Sequence, residues 1–270
     1  MTRLSFALNH MAAPKLPLDA FFALASQLGM PAVEIRNDLA GNAIADGTSP
    51  QAVRELAERH GLEILSINAL YPFNIWNGER EAAAARLAAY ARDCGAKGLV
   101  LVPLNDGTNG EDGLRQRNLR QALAGLAPIL SDAGITGLVE PLGFPICSLR
   151  LKSEAVEAIG ETTGGEVFRL VHDTFHHSLA GEDRLFPELT GLVHISGVED
   201  RDLALDDMLD AHRLLVGEKD RLDNVGQIRA LLAAGYKGAL SFEPFADEVR
   251  DDADIAGSLK RSVDFIEAQV

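Results

Sequence analysis

The chain has 270 residues, of which 47% are hydrophobic and 24% are charged, so it can build a large apolar core. Its formal net charge of -15 at pH 7 argues against nucleic acid or an anionic membrane surface as a partner. No run of about 18 apolar residues could span a bilayer, and no signal-peptide pattern opens the chain. The two cysteines, Cys94 and Cys147, fit neither a zinc pattern nor a disulfide framework, which favours a reducing compartment. We therefore expect a cytoplasmic protein without a nucleic-acid or membrane partner.

Short apolar runs alternate with helical segments along the whole chain. The apolar runs predict strands at residues 4–8, 32–36, 62–67, 98–102, 136–139, 167–173, 192–196 and 238–242. The segments between them predict helices at residues 16–28, 50–60, 79–94, 114–133, 153–160, 224–234 and 255–268. Ser49 and Pro50 are expected to open the second helix, and Asn224 is expected to cap the helix at 224–234.

This alternation decides the fold class. Near-continuous apolar strands separated by helices indicate a parallel sheet that helices cover. Eight such units in 270 residues favour closure into a barrel over an open sheet. Neither G-x-G-x-x-G nor G-x-x-x-x-G-K-[ST] follows the first strand, so a doubly wound nucleotide-binding fold has no support. Since no linker interrupts the series, we predict an α/β protein, a single-domain (β/α)8 TIM barrel over residues 1–270.

Four successive predicted strands lead into a residue that can bind a metal. Strands five to eight end, in order, at Glu140, Asp173, His194 and Glu243. A single acid in such a place is more often a helix N-cap or a loop anchor. In a (β/α)8 barrel, however, all strands open on one face at their carboxyl ends, so these four side chains are expected to be neighbours. Carboxylates and an imidazole together suit a divalent metal, and the sequence therefore predicts one shared metal site. By strand alternation, His172 should point the opposite way from Asp173.

The strand-end motifs resemble those of the xylose-isomerase-like barrels. The resemblance is carried by Glu140-Pro141-Leu142, Asp173-Thr174-Phe175-His176, His194-Ile195-Ser196 and Glu243-Pro244-Phe245. It covers essentially the whole chain and is strongest toward the sugar isomerase and epimerase branch that includes 2-keto-myo-inositol (inosose) isomerase. It implies one divalent ion, commonly manganese, magnesium, cobalt or zinc, held by Glu140, Asp173, His194 and Glu243. It also implies that His176 touches the substrate, and that the chain can form a homo-oligomer, as many family members are dimers or tetramers.

The activity that the resemblance implies is isomerisation or epimerisation of a keto-sugar or inosose through an enediolate. An ion on the carbonyl and its neighbouring hydroxyl would acidify the adjacent C–H, and Glu140 and Glu243 are the candidate acid/base residues. The same residues would also serve a dehydratase of an inosose or related keto-polyol, or a hydroxypyruvate isomerase. A nuclease on this barrel would need a trinuclear zinc cluster with more rim histidines, which seven histidines and a charge of -15 do not favour. A non-catalytic sugar-binding protein is the last alternative, although both acid/base candidates are present.

Several polar or aromatic residues near the predicted rim are candidates for substrate binding. They are His10, Glu34, Arg36, Asn68, Trp76 and Arg221. Glu34 and Arg36 share one face of strand two and could equally form a structural ion pair. Trp76, the only tryptophan, could line the pocket against the apolar face of a sugar or could simply pack its own loop.

The loops after strands seven and eight argue against a phosphorylated substrate. Barrels that bind a phosphate usually do so in these loops, with glycine-rich backbone and a helix start. Here the loops carry five acids, Glu199, Asp200, Asp202, Asp247 and Glu248, which would repel a dianion. The expected substrate is therefore an unphosphorylated polyol, sugar or keto-acid.

Overall fold

The computed structural model describes residues 4–39, 41, 44 and 47–270. Its strands within these residues are β1 (Phe6–Asn9), β2 (Ala32–Arg36), β3 (Glu63–Leu70), β4 (Gly98–Leu101), β5 (Thr136–Val139), β6 (Phe168–Asp173), β7 (Thr190–Ile195) and β8 (Leu240–Phe242). Its helices are α1 (Leu18–Gln27), α2 (Pro50–His60), α3 (Gly78–Cys94), α4 (Leu114–Ala133), α5 (Lys152–Glu161), α6 (Thr174–Ala180), α7 (Asn224–Ala233), α8 (Asp247–Arg250) and α9 (Ile255–Gln269). Short 3-10 helices lie at His10–Ala12, Gly165–Val167, Leu205–Asp207 and Asp210–His212.

The strands form a closed barrel in chain order, from β1 to β8 and back to β1, and every neighbouring pair is parallel. The main apolar core lies between this barrel and the helices around it, where outward side chains such as Leu8, Val33 and Val139 are buried. The predicted (β/α)8 TIM barrel is thereby confirmed. In the described part of the chain, none of the helices is both long and apolar enough to cross a membrane.

On the side of β4 to β7, the interior of the barrel has an apolar cluster beneath polar side chains. Val100, Leu138, Val171 and Leu192 form a buried cluster that is separate from the outer core. Because side chains alternate along a strand, the residue two positions later points into the same interior, one layer nearer the carboxyl ends. On β5, β6 and β7 that next residue is a predicted metal ligand. Strand alternation thus points these three ligands into the same interior as the apolar cluster.

Apart from shifts of one or two residues at other element ends, two local details differ from the sequence-based expectations. Strand β3 runs to Leu70 rather than ending at residue 67, so Asn68 lies within the strand, paired with Arg36 of β2. The N-cap of α7 is Asp223, whose carboxylate accepts the Gly226 N–H, so the prediction that Asn224 caps this helix was wrong.

The connection between β7 and α7 folds back across the mouth of the barrel. Gly197 and Leu214 exchange backbone hydrogen bonds of 2.8 Å in an antiparallel bridge. The backbone carbonyl of Arg213 then accepts from Phe245 N and Ala246 N in the loop after β8, at 3.0 and 2.9 Å. These bonds hold Arg213 over the polar end of the barrel.

Candidate metal centre

Four side chains from the carboxyl ends of β5 to β8 meet inside the barrel mouth. They are Glu140, Asp173, His194 and Glu243, all of them buried, and one ligand atom of each lies within 4.8 Å of the others. His194 Nδ1 is 3.0 Å from Glu140 Oε1 and 3.1 Å from Glu243 Oε2. It lies 3.9 Å from Asp173 Oδ2. The structure therefore brings together the four predicted strand-end residues.

The donor set and its spacing fit a divalent ion. Ligands that bind an ion at about 2.1 Å lie roughly 3.0 to 3.4 Å from one another. Two of the three distances from His194 Nδ1 fall within this range, and the third is 3.9 Å. Three buried carboxylates so close together repel one another unless a cation lies between them. Three carboxylate oxygens and one imidazole suit manganese, magnesium, cobalt or zinc, so these residues could hold one such ion.

Asp173 also begins the helix that follows it. Its Oδ1 accepts the backbone N–H groups of Phe175 and His176 at 2.8 and 3.1 Å, as an N-cap, while its Oδ2 faces the other ligands. The cap orients the carboxylate and places His176 in the first turn of α6, beside the site. The cap therefore explains why a residue three positions after Asp173, namely His176, lies beside the site.

Two buried arginines bind the carboxylates from the side of the barrel mouth. Arg213 Nη2 donates to Asp173 Oδ2 at 2.6 Å and to Glu243 Oε2 at 3.1 Å. Arg36 Nη1 donates to Glu243 Oε1 at 2.8 Å. Both guanidinium groups also lie over the ring of Phe245, at 4.6 Å for Arg213 and 5.5 Å for Arg36. Glu243 therefore has a charged partner on each oxygen.

Glu34 lies one layer deeper in the barrel and is completely buried. Its Oε1 is 3.1 Å from His194 Nε2, so the imidazole is held between Glu34 on one side and the ligand carboxylates on the other. Arg36, which was considered as an ion-pair partner for Glu34, instead binds Glu243 and Asp38.

The charges around His194 govern the protonation of the site. Burial alone would lower the pKa of His194, but the carboxylates of Glu243, Glu34 and Glu140 raise that pKa well above its usual range. Burial raises the pKa of Glu140. Burial acts in the same direction on Glu243, but His194 and the two arginines outweigh it and lower the pKa of that carboxyl. The two glutamates thus have pKa values shifted in opposite directions.

A cavity of about 350 Å³ opens above the four ligands. Glu140 and Glu243 are exposed to it, and His176, Asn105, Arg36 and Asn68 form part of its wall. Nδ1 of His176 and Oδ1 of Asn105 are buried and have no hydrogen-bond partner among the described residues. A buried polar atom without a partner is costly, so these two atoms would be stabilised by a polar partner.

The predicted substrate-binding residues are divided between this cavity and other parts of the fold. Arg36, Asn68 and His176 line the cavity. Trp76 packs its indole on α4 at Gly125, where a Cβ would come within 2.3 Å of the ring. Arg221 donates from Nη1 to the backbone carbonyls of Asp200 and Leu203, and so holds the connection after β7.

His10 lies outside the lining of the cavity as well. It is completely buried, its Nε2 is 2.9 Å from the carbonyl of Leu16, and its ring stacks on Phe21 at 4.1 Å. Burial lowers its pKa to about 4. His172, as expected from strand alternation, faces away from the metal ligands and contacts Lys152 Nζ and Gln227 Oε1, each at 2.9 Å.

Arg213 is a site residue that the sequence pattern did not reveal. It belongs to neither a strand end nor a helix, and its side chain is only 1% exposed. The one available signal was the length of the connection between β7 and α7, since long connections in compact domains are often functional.

The chain belongs to the xylose isomerase-like TIM barrel family, whose sequence model matches residues 22–269. This confirms the superfamily that the strand-end motifs indicated. Among solved structures, the chain is similar to a xylose isomerase domain containing protein from Salmonella typhimurium LT2, with 37% identity, 99% of this chain and 98% of that chain covered, and a TM-score of 0.91. A search of curated proteins finds no match.

Two more distant solved structures share the fold. One is the IolI protein with a bound zinc atom, with 20% identity, 99% of each chain covered and a TM-score of 0.86. The other is a D-psicose 3-epimerase with D-tagatose from Clostridium cellulolyticum H10, with 14% identity, 98% of this chain and 99% of that chain covered, and a TM-score of 0.75. At these identities the similarity establishes a common barrel.

Proposed function

We propose that the protein is a divalent-metal-dependent isomerase or epimerase that acts on an unphosphorylated keto-sugar or inosose. The observation that carries the proposal is the convergence of three carboxylates and one imidazole, of which Glu140 and Glu243 line a cavity of about 350 Å³. Zinc in IolI and D-tagatose in the psicose epimerase, both on the same barrel, support a metal and a sugar as the ligands. The cavity volume is that of a small-molecule site.

The four converging residues would hold the ion. Bound there, a divalent ion would polarise a substrate carbonyl and stabilise the negative charge that develops on its oxygen. The chain itself supplies the proton transfers, because Glu140 directly after β5 and Glu243 directly after β8 both line the cavity and are separated by β6 and β7. We assign to these two carboxylates the removal and return of the proton at the carbon next to the carbonyl.

The surroundings of the two glutamates suit different halves of this proton transfer. Glu243 accepts hydrogen bonds from Arg36, Arg213 and Asn9, and these partners favour its ionised form. Among the described side chains, Glu140 has only His194 as a hydrogen-bond partner, and burial raises its pKa. A pair of carboxyl groups with pKa values shifted apart is the usual arrangement for separate acid and base roles.

The charges at the cavity favour a substrate without a phosphate. Its two arginines, Arg36 and Arg213, already bind carboxylates at 2.8 Å or less. Two further acids, Asp38 and Asp210, are also part of the lining. A dianion would therefore meet more negative than positive charge, whereas an uncharged hydroxyl group would not be repelled.

The test is proton exchange with solvent. Metal-stripped protein is reloaded with Mg²⁺ or Mn²⁺ in D₂O and incubated with free ketoses, an inosose and hydroxypyruvate, and the products are analysed by mass spectrometry and NMR. We expect deuterium next to the carbonyl together with a new isomer, only when the metal is present. Loss of water from a substrate would assign the dehydratase reaction instead. Saturable sugar binding without exchange or dehydration would overturn the proposal in favour of a binding protein.

A further inference from the structure

Glu34 is held by hydrogen bonds to other side chains inside the barrel. It is completely buried on β2 and is not part of the cavity lining described above. Its Oε1 accepts from Ser241 Oγ, and its Oε2 accepts from Ser66 Oγ and from Asn68 Nδ2, the latter at 2.9 Å. The remaining contact is with His194 Nε2, at 3.1 Å from Oε1 and 3.2 Å from Oε2.

These contacts require a hydrogen on Nε2 of His194. A carboxylate can only accept hydrogen bonds, so the nitrogen that contacts Glu34 must be the donor, Nε2–H. Three uncharged donors already satisfy the other lone pairs of Glu34, and His194 is its only ion-pair partner in the described part of the chain. The buried carboxylate and the Nε2–H therefore need each other, since either left alone would be a costly buried polar group.

The other nitrogen, Nδ1, lies against the ligand carboxylates, so an ion held among them would take the place of the hydrogen that Nδ1 donates to them without an ion. Nδ1 lies 3.0 Å from Glu140 and 3.1 Å from Glu243. Histidines that bind metals commonly donate their second ring N–H to a carboxylate, which fixes the tautomer and raises the basicity of the ligand nitrogen. We propose that Glu34 is a positioning residue that holds His194 with its hydrogen on Nε2, so that Nδ1 is the metal ligand. This inference rests on the proposed metal-dependent function, and it assigns Glu34 to the ion rather than to the substrate.

The first test needs no substitution. In protein labelled with ¹⁵N at histidine and loaded with diamagnetic Zn²⁺, long-range ¹H–¹⁵N spectra identify which nitrogen of His194 is protonated. We expect a proton on Nε2 and metal on Nδ1. A metal-bound Nε2 would overturn the proposal, whether or not any variant folds.

The second test compares metal affinities by chelator competition with Mn²⁺. Glu34→Gln removes the negative charge at nearly constant volume and should weaken the affinity by about 10- to 100-fold. Ser241→Ala is the matched control, because it removes one donor to Glu34 but leaves the contact between Glu34 and His194 intact, and it should change the affinity by about threefold or less. Equal affinities for wild type and Glu34→Gln, with an unchanged tautomer, would refute the role of Glu34. Failure of the wild type to bind any ion would instead refute the proposed function, so the two failures are distinguishable.

Discussion

Metal binding is expected to tighten as the pH rises, because His194 must release a proton before its Nδ1 can bind an ion. The carboxylates around both ring nitrogens lie at 3.0 to 3.1 Å and raise the pKa of His194 well above its usual range. At neutral pH the metal-free protein therefore carries an imidazolium at this position. A divalent ion competes with that proton for the same nitrogen.

The size of the pH dependence of metal affinity follows from the charges of the groups around the site and from the proton that binding releases. Four buried carboxylates face two guanidinium groups and the imidazolium, which leaves one uncompensated negative charge. When a divalent ion replaces the proton of His194, this remaining negative charge is neutralised. With about one proton released for each ion bound, the affinity should rise about tenfold for each pH unit below the pKa of His194.

Isothermal titration calorimetry of metal-stripped protein with Mn²⁺ measures both quantities. Titrations between pH 6 and pH 8, in buffers with different ionisation enthalpies, give the affinity and the number of protons released. A constant affinity without proton release would refute the reasoning, because it would mean that His194 is neutral before binding or is not a ligand.

The titration of His194 should also appear in the pH dependence of the stability of the metal-free protein. The folded pKa lies above the unfolded value of about 6.5, so this contribution to the unfolding free energy is complete below that pH and is lost as the pH rises.

Three further outcomes are expected. Asp173→Ala should abolish metal binding, measured as bound metal per chain, and should lower the unfolding free energy by about 1 kcal/mol because the cap of α6 is lost. Asp173→Asn keeps a capping side chain and therefore isolates the loss of the ligand. Unchanged metal content would contradict the ligand assignment. Glu140→Gln and Glu243→Gln should each slow deuterium exchange at the substrate carbon by about 100-fold or more at saturating metal. Full exchange in either variant would show that the replaced glutamate is not an acid/base residue. His10→Phe should flatten the acid side of the stability curve, because the folded pKa of about 4 lies below the unfolded 6.5, so that His10 destabilises the fold as the pH falls through this interval. Between pH 7.5 and pH 5.5 the wild type should lose about 1.3 kcal/mol more than the variant in urea unfolding, and equal losses would show that His10 does not titrate in this way.

The part of the site that could be predicted from the sequence is the part that strand periodicity determines. Apolar runs that end in Glu140, Asp173, His194 and Glu243 place those residues at one end of the barrel, because parallel strands in a closed barrel share their direction. The same alternation predicted that His172 faces outward, where the structure shows it against Lys152.

The residues outside this regular pattern could not be assigned in the same way. The position of Arg213 depends on the backbone bridge between Gly197 and Leu214, which no local pattern in the sequence predicts. The position of Trp76 depends on the space left by Gly125, a residue that lies far from it along the chain. Whether a strand residue reaches the cavity, as Arg36 does, or stays beneath it, as Glu34 does, depends on the tilt of the strands and on their partners across the barrel.

The most direct test of the account is to locate the ion. Crystals of the protein soaked with Mn²⁺ or Zn²⁺ give an anomalous difference map at the absorption edge of the metal. The account predicts one strong peak inside the barrel mouth, at about 2.0 to 2.3 Å from His194 Nδ1 and from one oxygen each of Glu140, Asp173 and Glu243. A barrel mouth without a peak at saturating metal, or a peak bound through other residues, would contradict it.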